Sequence, residues 1–204
     1  MSPEERAEQK RFEKMKKEAK NIKDDKVETM IAFDDDGNVV FTHSDGRDGE
    51  VSIGNRNLSD IYGKTLVHNH PNGTAFSPED LDVAMWCKEV WAVTGEYIQT
   101  FKWNNNAWNN PDIESTFGWK REASRFIGQL RTKLKQGEFV DRAIAEWDDS
   151  HDYIDPDSMS WNDYTKAVDA RATGINQIIR QRMRDYFKNN AADYGFTFSV
   201  RRWK

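Results

Sequence analysis

Cysteine and histidine are both scarce in this sequence. Cys87 is the single cysteine among 204 residues, so no internal disulfide can form and cysteine-rich zinc sites are excluded. Only four histidines are present, so few places remain where imidazole nitrogens could bind a metal ion. Since stable disulfides belong mainly to oxidising compartments, this composition fits a reducing one, and we expect a cytoplasmic protein.

Long apolar runs and an excess of basic residues are missing as well. No segment approaches the roughly 18 apolar residues that span a bilayer. The N-terminal residues 1–20 also lack the apolar segment of a secretory signal, so we expect no membrane partner. The formal net charge of -5 disfavours binding through phosphate contacts, and we therefore expect no nucleic-acid partner.

Aromatic residues, in contrast, make up 12% of the chain and include eight tryptophans, which a disordered chain would lack. Residues 1–26 are dense in charge, and a thin apolar stripe at helical spacing is formed by Phe12, Met15, Ala19 and Ile22. This pattern predicts an exposed, solvated N-terminal helix that rests lightly on the rest of the protein.

Residues 27–118 combine short β-branched runs with one strongly apolar helical segment. Glycine-containing turns between such runs predict β-hairpins at residues 34–38 and 94–95. The run KTLVHNH predicts a strand over residues 64–70. A serine N-cap followed by proline predicts that a largely buried helix begins there and covers residues 77–91.

Residues 119–204 carry mainly helical patterns. A long helix is predicted over residues 161–193, and the alternating segment FTFSVRRW near the end predicts a strand. The fold class expected is α/β (α+β), with a mixed sheet flanked by helices. We expect three regions: a charged N-terminal helix (1–26), a core (27–118), and a helical C-terminal extension ending in a strand (119–204).

Half of the histidines lie in one short segment, LVHNHPNGTAFSPED (66–80). His68 and His70 are two residues apart on the predicted strand, a spacing that puts both imidazoles on the same face. The following helix presents Asp80 in its first turn, so two nitrogens and one carboxylate oxygen could converge on one ion. Three protein ligands and a fourth position for water are typical of catalytic zinc sites.

Ser77 and Asp80 also fit a capping box, in which each residue satisfies a backbone N–H of the other at the start of a helix. Taken alone, this pair would have only that structural role. The histidine pair is harder to explain structurally, because two buried imidazoles leave polar nitrogens that need partners.

The segment His-Asn-His-Pro followed by Ser-Pro-Glu-Asp resembles the JAMM motif of the JAB/MPN metallopeptidase superfamily. The asparagine between the histidines is similar to the bacterial and phage branch, which includes RadC-like proteins. The resemblance covers about residues 27–103. One departure is that residues 71–76 separate the second histidine from the serine, one residue fewer than is usual in the family.

The resemblance implies a JAB/MPN-like fold and a zinc-dependent hydrolase that cleaves a peptide or isopeptide amide bond. It implies that His68, His70 and Asp80 bind Zn²⁺. A protein or peptide is the implied substrate, with a larger phage or bacterial assembly as a further partner. A phage origin would make the protein virion-associated.

The resemblance also implies a glutamate on an early strand as general base and a serine that donates its hydroxyl to the oxyanion. Glu28 is the best match for the glutamate, because it opens a strand among residues expected to be buried. An exposed strand end is the competing interpretation for Glu28. Glu50 is the second candidate, although a polar loop is the favoured interpretation there. Ser77 matches the serine.

Two other functions stay open at this point. Domains similar to this superfamily also occur in phage head or tail assembly proteins, and some have lost the metal and act as scaffolds. All the polar positions of the motif are filled here, which argues against such a scaffold. The second alternative is a RadC-like protein associated with DNA metabolism, against which the acidic charge counts.

Overall fold

The computed structural model describes residues 1–48, 58–103 and 113–203. The chain divides into two compact units, of which the first contains Met1–Ile127 and Asn190–Lys204 and the second contains Gly128–Asn189. The fold is mixed α/β, as the sequence predicts, and the candidate site lies entirely in the first unit.

In the described residues, six strands form one mixed sheet in the order β2-β1-β3-β4-β5-β6. The strands are β1 (Val27–Phe33), β2 (Val39–Asp48), β3 (Thr65–Asn69), β4 (Glu89–Val93), β5 (Tyr97–Trp103) and β6 (Phe196–Arg202). Strands β3 and β4 are parallel, and the other neighbouring pairs are antiparallel. Both predicted hairpins are present, as β1–β2 and β4–β5. We expected the C-terminal strand to belong to the helical extension, but this strand, β6, pairs with β5 and continues the sheet.

The first unit contains helices beside its sheet, and helices make up most of the second unit. They are α1 (Pro3–Ile22), α2 (Leu58–Ile61), α3 (Pro78–Ala84), α4 (Ile113–Lys135), α5 (Glu138–Ser150) and α6 (Trp161–Asn190), with short 3₁₀ turns at Pro156–Ser158 and Ala191–Tyr194. Among the residues described, none of the helices is both long enough and apolar enough to cross a membrane.

The helix predicted over residues 77–91 is too long. In the structure, α3 ends at Ala84, and β4 begins at Glu89 and places Val90 and Trp91 in the sheet. An unbroken apolar run has no periodicity that separates a buried helix from a buried strand, so the sequence pattern merged the two. The short α3 is the crossover that joins the parallel strands β3 and β4.

The N-terminal helix α1 is more firmly attached than the sequence predicts. Its expected stripe packs against the sheet, with Met15, Ala19 and Ile22 at 7% exposure or less. Arg11 is also buried, and its guanidinium forms an ion pair with Glu89 of β4 at 2.8 Å. The prediction of a solvated helix that rests lightly on the protein is therefore wrong for this face, because its buried stripe belongs to the core.

The sheet has two different faces because side chains alternate along each strand. One face packs against α1 through residues such as Ile31, Val67 and Trp91. The opposite face carries His68 of β3 and is lined by aromatic rings that contact one another, namely Phe76, Phe101, Phe126, Phe196 and Phe198. The candidate site is therefore built on the face of the sheet that α1 does not cover.

Candidate metal centre

Both histidines of the motif point into one buried site at the end of β3. His68 is 4% exposed and His70 is 7% exposed. The two side chains lie on the same face, as the spacing of two residues on a strand predicts. Their Nε2 atoms are 2.8 Å apart. His70 follows the last residue of β3, and its backbone N–H still donates to the carbonyl of Val93 in β4 at 2.8 Å.

Asp80 reaches the same place from the first turn of α3. Its Oδ1 is 3.0 Å from His68 Nε2, and its Oδ2 is 3.4 Å from His70 Nε2. The capping box with Ser77 is also formed: the Asp80 N–H donates to Ser77 Oγ at 3.1 Å, and the Ser77 N–H donates to Asp80 Oδ2 at 2.6 Å. The short loop of residues 71–76 therefore still delivers Asp80 to the histidines, and the cap holds its carboxylate in place.

Glu28 joins this group from the neighbouring strand β1. It is 7% exposed, so it is not an exposed strand end. Its Oε1 lies 4.0 Å from His68 Nε2, because β1 pairs antiparallel with β3 and sets Met30 opposite His68. Glu50, the second candidate for the glutamate, lies outside the described residues.

The candidate site thus consists of Glu28, His68, His70 and Asp80, each of which offers one ligand atom within 4.8 Å of the others. A tetrahedral zinc ion with ligands at about 2.0–2.1 Å holds its donor atoms about 3.3 Å apart. The distances among the two histidines and Asp80 lie close to that value. Imidazole nitrogen and carboxylate oxygen also suit several other divalent ions, so the donor set fits a metal ion without identifying it.

The charges in this site are strongly coupled. Burial by itself would raise the pKa of Asp80, but the adjacent His68 and His70 hold it well below its usual range. Burial likewise would lower the pKa of His70, and the carboxylate of Asp80 outweighs that effect and raises it. Such mutual dependence of buried groups is common at functional sites.

Contacts behind the histidines fix the orientation of one ring. His70 Nδ1 lies 3.0 Å from the backbone oxygen of Thr74 and 3.1 Å from the Thr74 hydroxyl oxygen. A carbonyl oxygen can only accept, so Nδ1 carries the hydrogen, and Nε2 is the nitrogen whose lone pair would face an ion in the cluster when the ring is neutral. His68 differs, because its buried Nδ1 has no hydrogen-bond partner among the residues that the structure describes.

Asn69, the residue between the two histidines, points to the other side of β3. Its Oδ1 accepts from the N–H of Thr29 at 2.7 Å, and its Nδ2 donates to the carbonyls of Asp25 and Val27 at 3.1 Å. These bonds tie the start of β1 to β3. Asn69 therefore helps to hold the strand that carries Glu28.

Sequence reasoning missed Gln99 and Thr74 as parts of this site. Gln99 lies in β5, is fully buried, and donates from Nε2 to the Thr74 carbonyl at 3.1 Å. The available signal was weak: an uncharged polar side chain within the run YIQTF, where an apolar one would pack as well.

The comparisons with known proteins give no relative. No family model, no curated protein and no solved structure matches the chain. The chemical interpretation of the site therefore depends on its own residues and geometry.

Proposed function

We propose that this protein is a zinc-dependent hydrolase of the JAMM type that cleaves a peptide or isopeptide amide bond. The observation that supports the proposal is the convergence of Glu28, His68, His70 and Asp80 in one buried group. These are the residues that the resemblance to the JAB/MPN superfamily assigns to the metal site and the general base.

In this proposal His68, His70 and Asp80 hold the ion, and a fourth position stays open for water. A zinc ion bound there would lower the pKa of that water toward about 7 and polarise the scissile carbonyl. The capping box keeps Asp80 in the orientation that faces both imidazoles. The Thr74 carbonyl does the same for His70 by holding its Nδ1–H.

Glu28 is assigned the role of general base. Its Oε1 is 4.0 Å from His68 Nε2, farther than the separations among the three ligands. This placement suits a carboxylate beside the metal-bound water more than a fourth ligand. Glu28 would take a proton from the water and return it to the leaving amine.

The test of this proposal is metal content together with hydrolysis. We expect the purified full-length chain to contain zinc by elemental analysis and to cleave members of a pool of internally quenched peptides and isopeptide-linked peptides. His70→Ala should lose both zinc and cleavage. Glu28→Gln should retain zinc and lose cleavage, since it removes the base and leaves the three ligands.

His43→Ala is the matched control, because His43 lies in β2 and contacts Asp45 at 2.6 Å rather than the cluster. It should keep zinc and cleavage. An unaltered chain that binds no zinc would refute the proposal and favour a scaffold function. Loss of zinc in Glu28→Gln would make Glu28 a ligand and remove it from the role of base.

A further inference from the structure

Gln99 is an unusual residue for its position. It is 0% exposed, and on the same face of β5 its neighbour is Phe101. Its Nε2 donates to the Thr74 carbonyl at 3.1 Å, whereas its Oε1 has no hydrogen-bond partner among the described residues. Burying a polar atom without a partner is unfavourable, so an apolar side chain of the same size would suit packing better.

The orientation of the Gln99 amide is fixed by its partner. The Thr74 oxygen can only accept, so the NH₂ group must face it and Oε1 must face away. The same oxygen also receives the Nδ1–H of His70 at 3.0 Å. A carbonyl has two lone pairs, and here one serves the amide and the other serves the imidazole.

This contact links two distant parts of the first unit. Thr74 lies in the loop between β3 and α3, and Gln99 lies in β5, two strands away from β3. In the sheet, His68 is opposite Ala92, and Ala92 is opposite Gln99, so the three side chains share one row on one face.

We propose that Gln99 is a positioning residue of the metal centre. By holding the Thr74 carbonyl in place, it keeps the Nδ1–H of His70 bonded and the Nε2 lone pair directed toward the ion. Gln99 touches neither the ion nor the substrate in this scheme. The inference rests on the proposed metal site and accounts for a polar residue in an aromatic core. Residues that orient a metal-bound histidine typically change metal affinity about 10- to 100-fold when removed.

The experiment compares Gln99→Met with the unaltered full-length chain. Methionine keeps a similar volume and removes the donor to Thr74. Zinc affinity is measured by competition with a chromophoric chelator, and the ligand geometry is followed by the visible spectrum of the cobalt-substituted protein. We expect Gln99→Met to weaken zinc binding by about 10- to 100-fold and to change the cobalt spectrum.

Thr100→Val is the matched control. Thr100 is the next residue in β5, is 7% exposed, and bonds to Ser199 Oγ at 2.6 Å on the other face of the sheet. Its replacement also removes one partly buried hydrogen bond, but it should leave zinc affinity and the cobalt spectrum unchanged. This comparison separates a loss of orientation from a general loss of stability.

Equal zinc affinity and an unchanged cobalt spectrum in folded Gln99→Met would overturn the inference while leaving the proposed function intact. If that variant does not fold, Gln99→Asn replaces it, since the shorter amide withdraws its donor from Thr74 and should weaken zinc binding in the same direction. Unchanged binding by folded Gln99→Asn would likewise overturn the inference. If the unaltered chain binds no zinc, the proposed function and the inference both fail.

Discussion

Arg11 of α1 and Glu89 of β4 form a buried ion pair, with Nη2 and Oε2 2.8 Å apart and each side chain 9% exposed. Arg11 also donates to Thr65 Oγ1 at 3.0 Å, and Glu89 Oε1 accepts from Trp91 Nε1 at 2.7 Å. Burial by itself would lower the pKa of Arg11, but the neighbouring carboxylates, Glu8 first among them, raise it above its usual value. The pair attaches α1 to the face of the sheet opposite the candidate metal centre.

Replacing Glu89 by glutamine should destabilise the protein. The substitution keeps the shape of the side chain but leaves the buried Arg11 guanidinium without its buried charge partner, a change that typically costs about 3–5 kcal/mol. Because Glu8 also contacts Arg11, we expect the lower end, about 3 kcal/mol, in the free energy of unfolding. Urea denaturation followed by tryptophan fluorescence measures this difference.

Glu13→Gln is the control for that measurement. Glu13 is 54% exposed and lies 3.8 Å from Lys16, so its loss should change the free energy of unfolding by less than about 0.5 kcal/mol. If the two variants lose the same stability, the Arg11–Glu89 pair does not fasten α1 to the sheet.

The carboxyl of Glu8 should make stability depend on pH in the acid range. The hydrogen bond from Arg11 is the main reason that the pKa of Glu8 falls from 4.5 to about 2. A carboxyl with a lower pKa in the folded state stabilises the protein above its unfolded pKa, and this contribution is lost as the pH falls from 4.5 toward about 2. Since Glu8 is 54% exposed, solvent screening should keep the contribution below about 1 kcal/mol.

The measurement is the difference in unfolding free energy between the unaltered chain and Glu8→Gln at a series of pH values. This difference should be largest near neutral pH, shrink in acid, and also shrink with added salt. Taking the difference removes the titration of the other carboxyls, which both chains share. A difference that stays constant across the acid range would show that Glu8 is not held by Arg11 in solution.

The candidate metal centre could be predicted from the sequence because most of it is local. His68 and His70 share a face by strand alternation alone. Asp80 is placed by a helix cap, which Ser77 followed by proline indicates in the sequence. These features need no knowledge of the sheet order. The position of Glu28 depends on the sheet order, since only the pairing of β1 with β3 brings this residue to the histidines.

The contacts that the sequence did not predict join residues far apart in the chain. Gln99 meets Thr74 across 25 residues, and Arg11 meets Glu89 across 78 residues. Both depend on which strands are neighbours, and local periodicity carries no such information. The stripe on α1 indicated the correct face, but a charged Arg11 could be assigned to the core only once its buried partner was known.

Ser77 offers a final prediction, because two roles of its hydroxyl can be separated. Its Oγ accepts the N–H of Asp80 at 3.1 Å as the cap of α3, and that bond leaves the hydroxyl hydrogen to donate to an oxyanion. Ser77→Ala should therefore lose about 1 kcal/mol of stability through the cap. In the proposed hydrolase it should also lose about 100- to 1000-fold in kcat through the missing donor.

Ser2→Ala supplies the comparison, since Ser2 caps α1 with the same capping box: its Oγ accepts the N–H of Glu5 at 3.1 Å, and its own N–H donates to Glu5 at 2.6 Å. This variant removes an equivalent cap far from the metal ligands and should leave kcat unchanged. Assays in excess zinc keep the site of each variant loaded, so that a weakened hold on Asp80 does not lower the rate by itself. Equal kcat for Ser77→Ala and Ser2→Ala would restrict Ser77 to capping, because a donor to the oxyanion cannot be removed without slowing the step in which that charge develops.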